Sequence, residues 1–160
     1  MADGPIALST TAYSSYMVAS AGGMFLGGFI ATRARFPERI IAIGFILGSS
    51  ISVLIAMTVV SGSTMMSLFI EMGFCVGITG PSRDLMIRSA TPKEASGRVF
   101  GTVYSGLDSG LAIGPLIFGL LMDWKMAPGV FILIAAFLMT ALITAFRVGE
   151  NNRFVGLKSA

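Results

Sequence analysis

Arg33-Ala34-Arg35-Phe36-Pro37-Glu38-Arg39 runs straight into Ile40-Ile41-Ala42-Ile43-Gly44-Phe45-Ile46-Leu47-Gly48, and no charged side chain follows until Glu71. A short basic cluster set against a long apolar run marks one edge of a membrane span. The same pattern recurs along the chain. Ten of the eleven Lys and Arg residues fall in three clusters: Arg33, Arg35 and Arg39; Arg83, Arg88, Lys93 and Arg98; and Arg147, Arg153 and Lys158. Only Lys125 lies apart, in one of the two sparse connections near Ser61-Gly62-Ser63 and between Asp123 and Pro128. Basic residues beside spans are retained in the cytoplasm, so the clusters are expected inside and the sparse turns outside. An odd number of spans follows, with the N-terminus outside and the C-terminus cytoplasmic.

Composition points the same way. Of the 160 residues 54% are hydrophobic and 12% charged, and the mean hydropathy is +0.85, an apolar balance that soluble domains rarely reach. The net charge of +3 resides at span edges, where it acts as an orientation signal and makes no phosphate-binding surface, so no nucleic-acid partner is expected. One Cys excludes an internal disulfide framework and a multi-Cys metal site, and the absence of His removes the commonest metal ligand and general base. No Ser stands out from the hydroxyl background and the Cys has no activating neighbour, so no enzyme, cofactor or metal is expected. Met1 to Pro5 lacks the basic region of a cleavable signal peptide.

A bilayer core about 30 Å thick needs roughly 20 helical residues. Five stretches satisfy this, at about 6–31, 40–60, 63–81, 98–121 and 127–147. The fold expected is all-α: a polytopic membrane helix bundle of five transmembrane helices over residues 1–148, followed by a polar cytoplasmic tail, 149–160. The outer half of the first span, Ser9 to Tyr16, is rich in hydroxyls and needs protein or water beside it. The second and fifth spans are uniformly aliphatic and read as outer, lipid-facing helices. In the inner connection Ser82 to Gly97, Thr91-Pro92-Lys93-Glu94 has the form of a helix start and predicts a short surface helix.

Glycine recurs at four-residue spacing as Gly23/Gly27, Gly44/Gly48, Gly73/Gly77 and Gly106/Gly110/Gly114, with Pro115 next. Such ridges let helix backbones approach closely in lipid. Pro115 also deletes a backbone hydrogen bond, which predicts a kink. Two acids lie inside spans, Glu71 in the third and Asp108 in the fourth. Intramembrane carboxylates are costly unless neutral or paired, and they are functional candidates by default. Both sit at a similar distance from the inner ends expected for their helices. Thr64, Ser67 and Glu71 form a stripe on the third helix, while Asp108 points away from the glycine ridge with Tyr104, Ser105 and Ser109 nearby. The two stripes are expected to line one aqueous path, with Glu71 and Asp108 as proton-coupling residues and Tyr13, Tyr16, Ser67, Tyr104 and Ser105 lining the cavity. Cys75 reads as a small core residue.

Gly80-Pro81-Ser82-Arg83-Asp84, Arg98-Val99-Phe100-Gly101, Gly114-Pro115 and Leu121-Met122-Asp123 resemble the corresponding region of major facilitator superfamily transporters, particularly bacterial efflux-type members. Gly27-Gly28-Phe29-Ile30-Ala31-Thr32-Arg33 with Arg39 resembles the loop signature of that family, with Thr32 where an Asp is usual. The resemblance covers nearly the whole chain and implies about the last five of twelve helices, part of the C-terminal six-helix half. It places the third span at the central cavity and assigns Arg33, Arg83, Asp84 and Arg98 to a cytoplasmic gate, with the gating role weakened by Thr32. It further implies the C-terminal portion of a secondary active transporter in a bacterial inner membrane. That protein would export a small organic solute or drug by proton-coupled alternating access. Its partners would be the lipid bilayer, a small-molecule substrate and a missing N-terminal half, in the same chain or another. The alternative is a non-transporting membrane protein that assembles with a partner through its glycine-rich helix faces.

Overall fold

The computed structural model of the chain describes residues 3–34, 36–57, 62–91 and 96–158. Those residues form five helices, α1 (Asp3–Arg33), α2 (Pro37–Met57), α3 (Gly62–Ala90), α4 (Ser96–Asp123) and α5 (Ala127–Lys158). Each is long and apolar enough to cross a membrane. Helices are the form an apolar span must take, because in hydrocarbon every backbone N–H and C=O has to find its partner within the segment.

Local sequence explains where the helices begin and end. Pro37 opens α2, and Glu38 stands in its first turn, where a negative charge complements the helix dipole. The Arg39 guanidinium lies 4.7 Å from the centre of the Phe36 ring. At the other end of the bundle α4 closes in a complete Schellman motif: the Lys125 amide donates to Met122 O and the Met126 amide to Leu121 O, each at 2.9 Å. Lys125 occupies the left-handed position with φ 58°.

α3 continues to Ala90 instead of ending at residue 81. Pro81 lies within it, and the added turns are held by Met86, which is buried with Ile41 of α2 and Ala145 of α5. Likewise α5 runs on to Lys158, through the segment expected to be a polar tail. The expected surface helix at Thr91 to Glu94 falls mostly on residues 92–95, outside the described residues. α4 passes through Pro115 as one helix.

Packing follows the small residues. α1 and α3 run parallel and interlock through four glycines. A Cβ on Gly23 would lie 2.5 Å from Phe74 O and one on Gly27 2.5 Å from Ile78 O, while Cβ atoms on Gly73 and Gly77 would collide with the backbone oxygens of Tyr16 and Ser20. α2 runs antiparallel to both α3 and α5. Gly44 rests against Thr79 and Cys75 of α3, while Ser52 and Ser49 donate across to Phe131 O and Ala135 O of α5 at 2.7 and 3.4 Å. Because α2 packs against both neighbours, it is not simply an outer helix: Gly44, Gly48, Ser49 and Ser52 are buried, whereas Ile43, Ile46, Leu47 and Leu54 are exposed. Uniform hydropathy concealed these two faces, since in lipid the small residues turn inward and the large ones outward. α4 is the opposite case. None of its residues is buried.

Alternating helix direction brings Arg33, Arg39, Arg83, Arg88, Arg98 and Arg147 to one end of the bundle.

Candidate functional site

The sequence-derived site residues divide between two exposed surfaces and two cavities. Thr64, Ser67, Glu71 and Phe74 form an exposed line along α3 at spacings of three and four, so the polar stripe read from the sequence is a real face of the helix. Asp108 is also exposed, on α4. Neither acid has an ion-pair partner among the described residues. An ionised Asp near the centre of a span costs about 2.5–3.5 kcal/mol on insertion scales. A bundle surface that carries two such groups is therefore unsuited to lipid at those points.

The structure does not bring the two acids together. Arg83, Met86 and Ile87 of α3 line an inner cavity opposite Val103 and Gly106 of α4, which sets the relative depth of the two helices. Asp108 lies about half a turn outward from Gly106, and Glu71 more than three turns outward from Arg83, which is about 3 Å and about 18 Å along the axis. The similar depth expected from sequence fails because α3 extends well past its expected inner end, setting Glu71 further out.

That inner cavity has a volume of about 640 Å³, with Ile41 and Phe45 of α2 and Ala141, Thr144 and Ala145 of α5 completing its wall. A second cavity of about 330 Å³ lies in the outer half of the bundle, where Tyr13 and Tyr16 of α1 meet Phe69 and Met72 of α3 and Phe131 of α5. Phe69 and Phe131 pack edge to face there, with ring centres 6.1 Å apart. Tyr13 and Tyr16 thus border a cavity within the bundle. Tyr104 instead stacks on Phe100 one turn away, and Ser105 donates to Thr102 O of its own helix at 2.9 Å. These two decorate the α4 surface, as does Ser109, which donates to Ser105 O. Ser67 lies on the exposed α3 face and not among the residues lining the outer cavity.

At the inner end Arg83 donates from Nη2 to Asp84 Oδ1 at 3.2 Å, with both side chains about two-fifths exposed. Arg33 and Arg98 are exposed. Thr32, at the position where the loop signature carries an acid, donates to Phe29 O of its own turn. Two residues at this end were not singled out in the sequence. Glu38 is buried at the start of α2, and Ser82 is fully buried with an Oγ that lacks a hydrogen-bond partner among the described residues. Glu38 sits beside basic residues and reads as one more edge charge, while Ser82 carries no sequence signal of its burial. No group of three His, Cys, Asp or Glu side chains among the described residues comes together to hold a metal ion.

The glycine ridge of α4 meets no helix. A Cβ on Gly106 or Gly110 would have no neighbour within 4 Å, and one on Gly114 would touch only Phe118 of the same helix. Gly110, Ile113 and Gly114 border a third cavity, about 360 Å³, between α4 and Phe137 of α5.

Five apolar helices of alternating direction, three of them (α1, α2 and α3) packed through glycine, define a polytopic membrane protein. Residues 4–155 match the Major Facilitator Superfamily, and the chain belongs to that family, as the motifs around Arg83 and Gly114 had indicated. It is similar to a multi-drug resistance efflux pump PmrA homolog of Lactococcus lactis, with 40% identity over 54% of this chain and 22% of that protein. It also resembles the multidrug resistance protein MdtG of Proteus mirabilis, with 36% identity over 53% of this chain and 22% of the relative. With MdtG of Salmonella typhi the identity is 27% over 86% of this chain and 33% of the relative. The chain thus spans between about a fifth and a third of the length of these relatives. No solved structure gives a significant match.

Proposed function

We propose that these helices form the C-terminal portion of a secondary active transporter that exports a small organic solute or drug by alternating access, driven by proton exchange. The single observation that carries this reading is the pair of exposed intramembrane acids, Glu71 and Asp108. A surface bearing them needs water or protein against it, and helices outside these 160 residues would supply both by enclosing a solvated path. Glu71 and Asp108, at different depths, act as proton carriers at successive points of that path, and the Arg83–Asp84 pair with Arg33 and Arg98 lies at its cytoplasmic gate. The basic end faces the cytoplasm of a bacterial inner membrane. The efflux names of the relatives support export and a drug-like substrate class.

The test uses the complete protein in inverted membrane vesicles with an imposed proton gradient and a fluorescent lipophilic drug. Glu71→Gln and Asp108→Asn are expected to abolish gradient-driven flux while insertion and expression stay normal. Unchanged flux in both variants would remove the proton-coupling role. A second reading, a non-transporting protein that assembles with a partner, draws on the open glycine face of α4. It predicts that both neutral variants behave as wild type while Gly110→Leu destroys assembly.

A further inference from the structure

We infer that α3 has a second, bent form hinged at Pro81, in which the Ser82 hydroxyl donates to the carbonyl of Ile78 and so positions the inner segment of the helix. Use of that bend at the cytoplasmic gate rests on the transporter reading; the bend itself rests on α3. Pro81 lies inside a helix of 29 residues, Gly62–Ala90. Having no N–H, it leaves Gly77 O without its helical partner, and its ring crowds the same carbonyl, so α3 yields most easily at this turn. A kink there loosens the next bond, from the Ser82 amide to Ile78 O. In lipid, carbonyls freed beside a proline are re-satisfied by Ser and Thr side chains among other groups. Ser82 follows the proline directly and stands four residues after Ile78, the spacing at which a Ser hydroxyl bonds back to its own helix and bends it.

The neighbouring hydroxyls of α3 are already engaged. Thr79 donates to Val76 O at 2.7 Å and Ser89 to Met86 O at 2.9 Å. Ser82, between them, is 0% exposed, and its Oγ has no partner among the described residues. A dry, unpaired hydroxyl costs stability in the straight helix, and the bent form removes that cost. The packing of α3 divides at the same place. Outward of Pro81 the helix is fixed to α1 through backbone, with Ile78 O against Gly27 and Gly77 against Ser20. Inward of it, Met86 is buried with Ile41 of α2 and Ala145 of α5. At the joint, Gly80 meets only the flexible Met24 side chain, 3.6 Å from its Cβ position. The Arg83–Asp84 pair opens the inner segment, so a bend at Pro81 turns that pair relative to Arg33 at the end of α1.

The experiment measures the distance between nitroxide labels at Ile30→Cys of α1 and Ser89→Cys of α3, both exposed positions, by double electron–electron resonance. It uses the complete protein in nanodiscs with its other cysteines removed. Both labels ride on one bundle, so rocking of one transporter half against the other leaves their separation unchanged. Ser89 lies about 12 Å beyond Pro81 along the axis, and a kink of about 20° moves it by about 4 Å. Wild type is expected to show two distances separated by about that amount. Ser82→Ala, which lacks the hydroxyl, and Pro81→Ala, which restores the N–H, are each expected to keep one. Should one variant fail to reach the membrane, the other decides. A single distance in wild type, or two distances in either variant, would overturn the inference. Two distances in a protein that moves no drug retain the hinge and remove the transport reading, whereas proton-driven flux with a single distance removes the hinge alone.

Discussion

Gly77 of α3 lies so close to Ser20 of α1 that a Cβ at position 77 would collide with the Ser20 carbonyl oxygen. The obstacle is backbone, which cannot swing aside as a flexible side chain would. Gly77→Leu is therefore expected to force α1 and α3 apart and to destabilise the bundle by about 1–3 kcal/mol or more. Gly22→Ala, at a position with nothing within 4 Å, is expected to be neutral or slightly stabilising. SDS-induced unfolding in mixed micelles distinguishes the two, and equal effects would contradict the interlock.

Ser52 and Ser50 separate hydrogen bonds that join helices from those that do not. Ser52 Oγ donates to Phe131 O of α5, and Ser50 Oγ donates to Ile46 O of its own helix. Ser52→Ala should cost about 0.6 kcal/mol, at most about 1.7 kcal/mol, while Ser50→Ala should change little. The same unfolding assay measures both.

Lys125 holds a left-handed conformation, φ 58°, at the end of α4. For a residue with a Cβ this costs roughly 1–2 kcal/mol. Lys125→Gly removes that cost and is expected to raise stability by a similar amount, whereas Lys125→Val is expected to lower it. A midpoint for the Gly variant no higher than wild type would show that the cationic side chain at the helix C-terminus offsets the strain.

Ser82 presents a different opportunity for stabilisation. Its buried Oγ has no hydrogen-bond partner among the described residues, so Ser82→Ala deletes an unsatisfied polar group, worth about 1–3 kcal/mol where it is dry. Increased stability is the expected outcome. A loss would show that the hydroxyl is hydrogen-bonded in the membrane.

Gly110 tests whether the α4 face is open within the bundle. With nothing near its Cβ position, Gly110→Leu should leave the stability of the 160-residue chain within about 0.5 kcal/mol of wild type. A larger loss would mean that the ridge packs against another helix.

Much of this architecture was legible in the residues. The runs after Arg39 and before Arg147 announce spans because an apolar helix is the form a chain can take in hydrocarbon, and their basic flanks gather at one end of the bundle. The polar stripe through Thr64, Ser67 and Glu71 was legible for a similarly simple reason, since helical periodicity alone places those residues on one face. Less legible was the inner end of α3. Ser82, Arg83 and Asp84 look like a loop, and their helical state depends on Met86 finding Ile41 and Ala145 on other helices.

The division between sequence and tertiary structure follows from the range of the interactions. Span existence, span direction and the facing of Glu71 depend on hydropathy, charge and the helical repeat, which act within a few turns. Which glycine ridge is engaged is a long-range matter: Gly73/Gly77 and Gly106/Gly110 have the same spacing, yet the first pair packs against α1 and the second borders cavities. The relative depth of Glu71 and Asp108 likewise depended on how far α3 extends and on the cavity that aligns it with α4. Both are properties of how helices stand against one another, and residue spacing along a single helix carries no record of its neighbour.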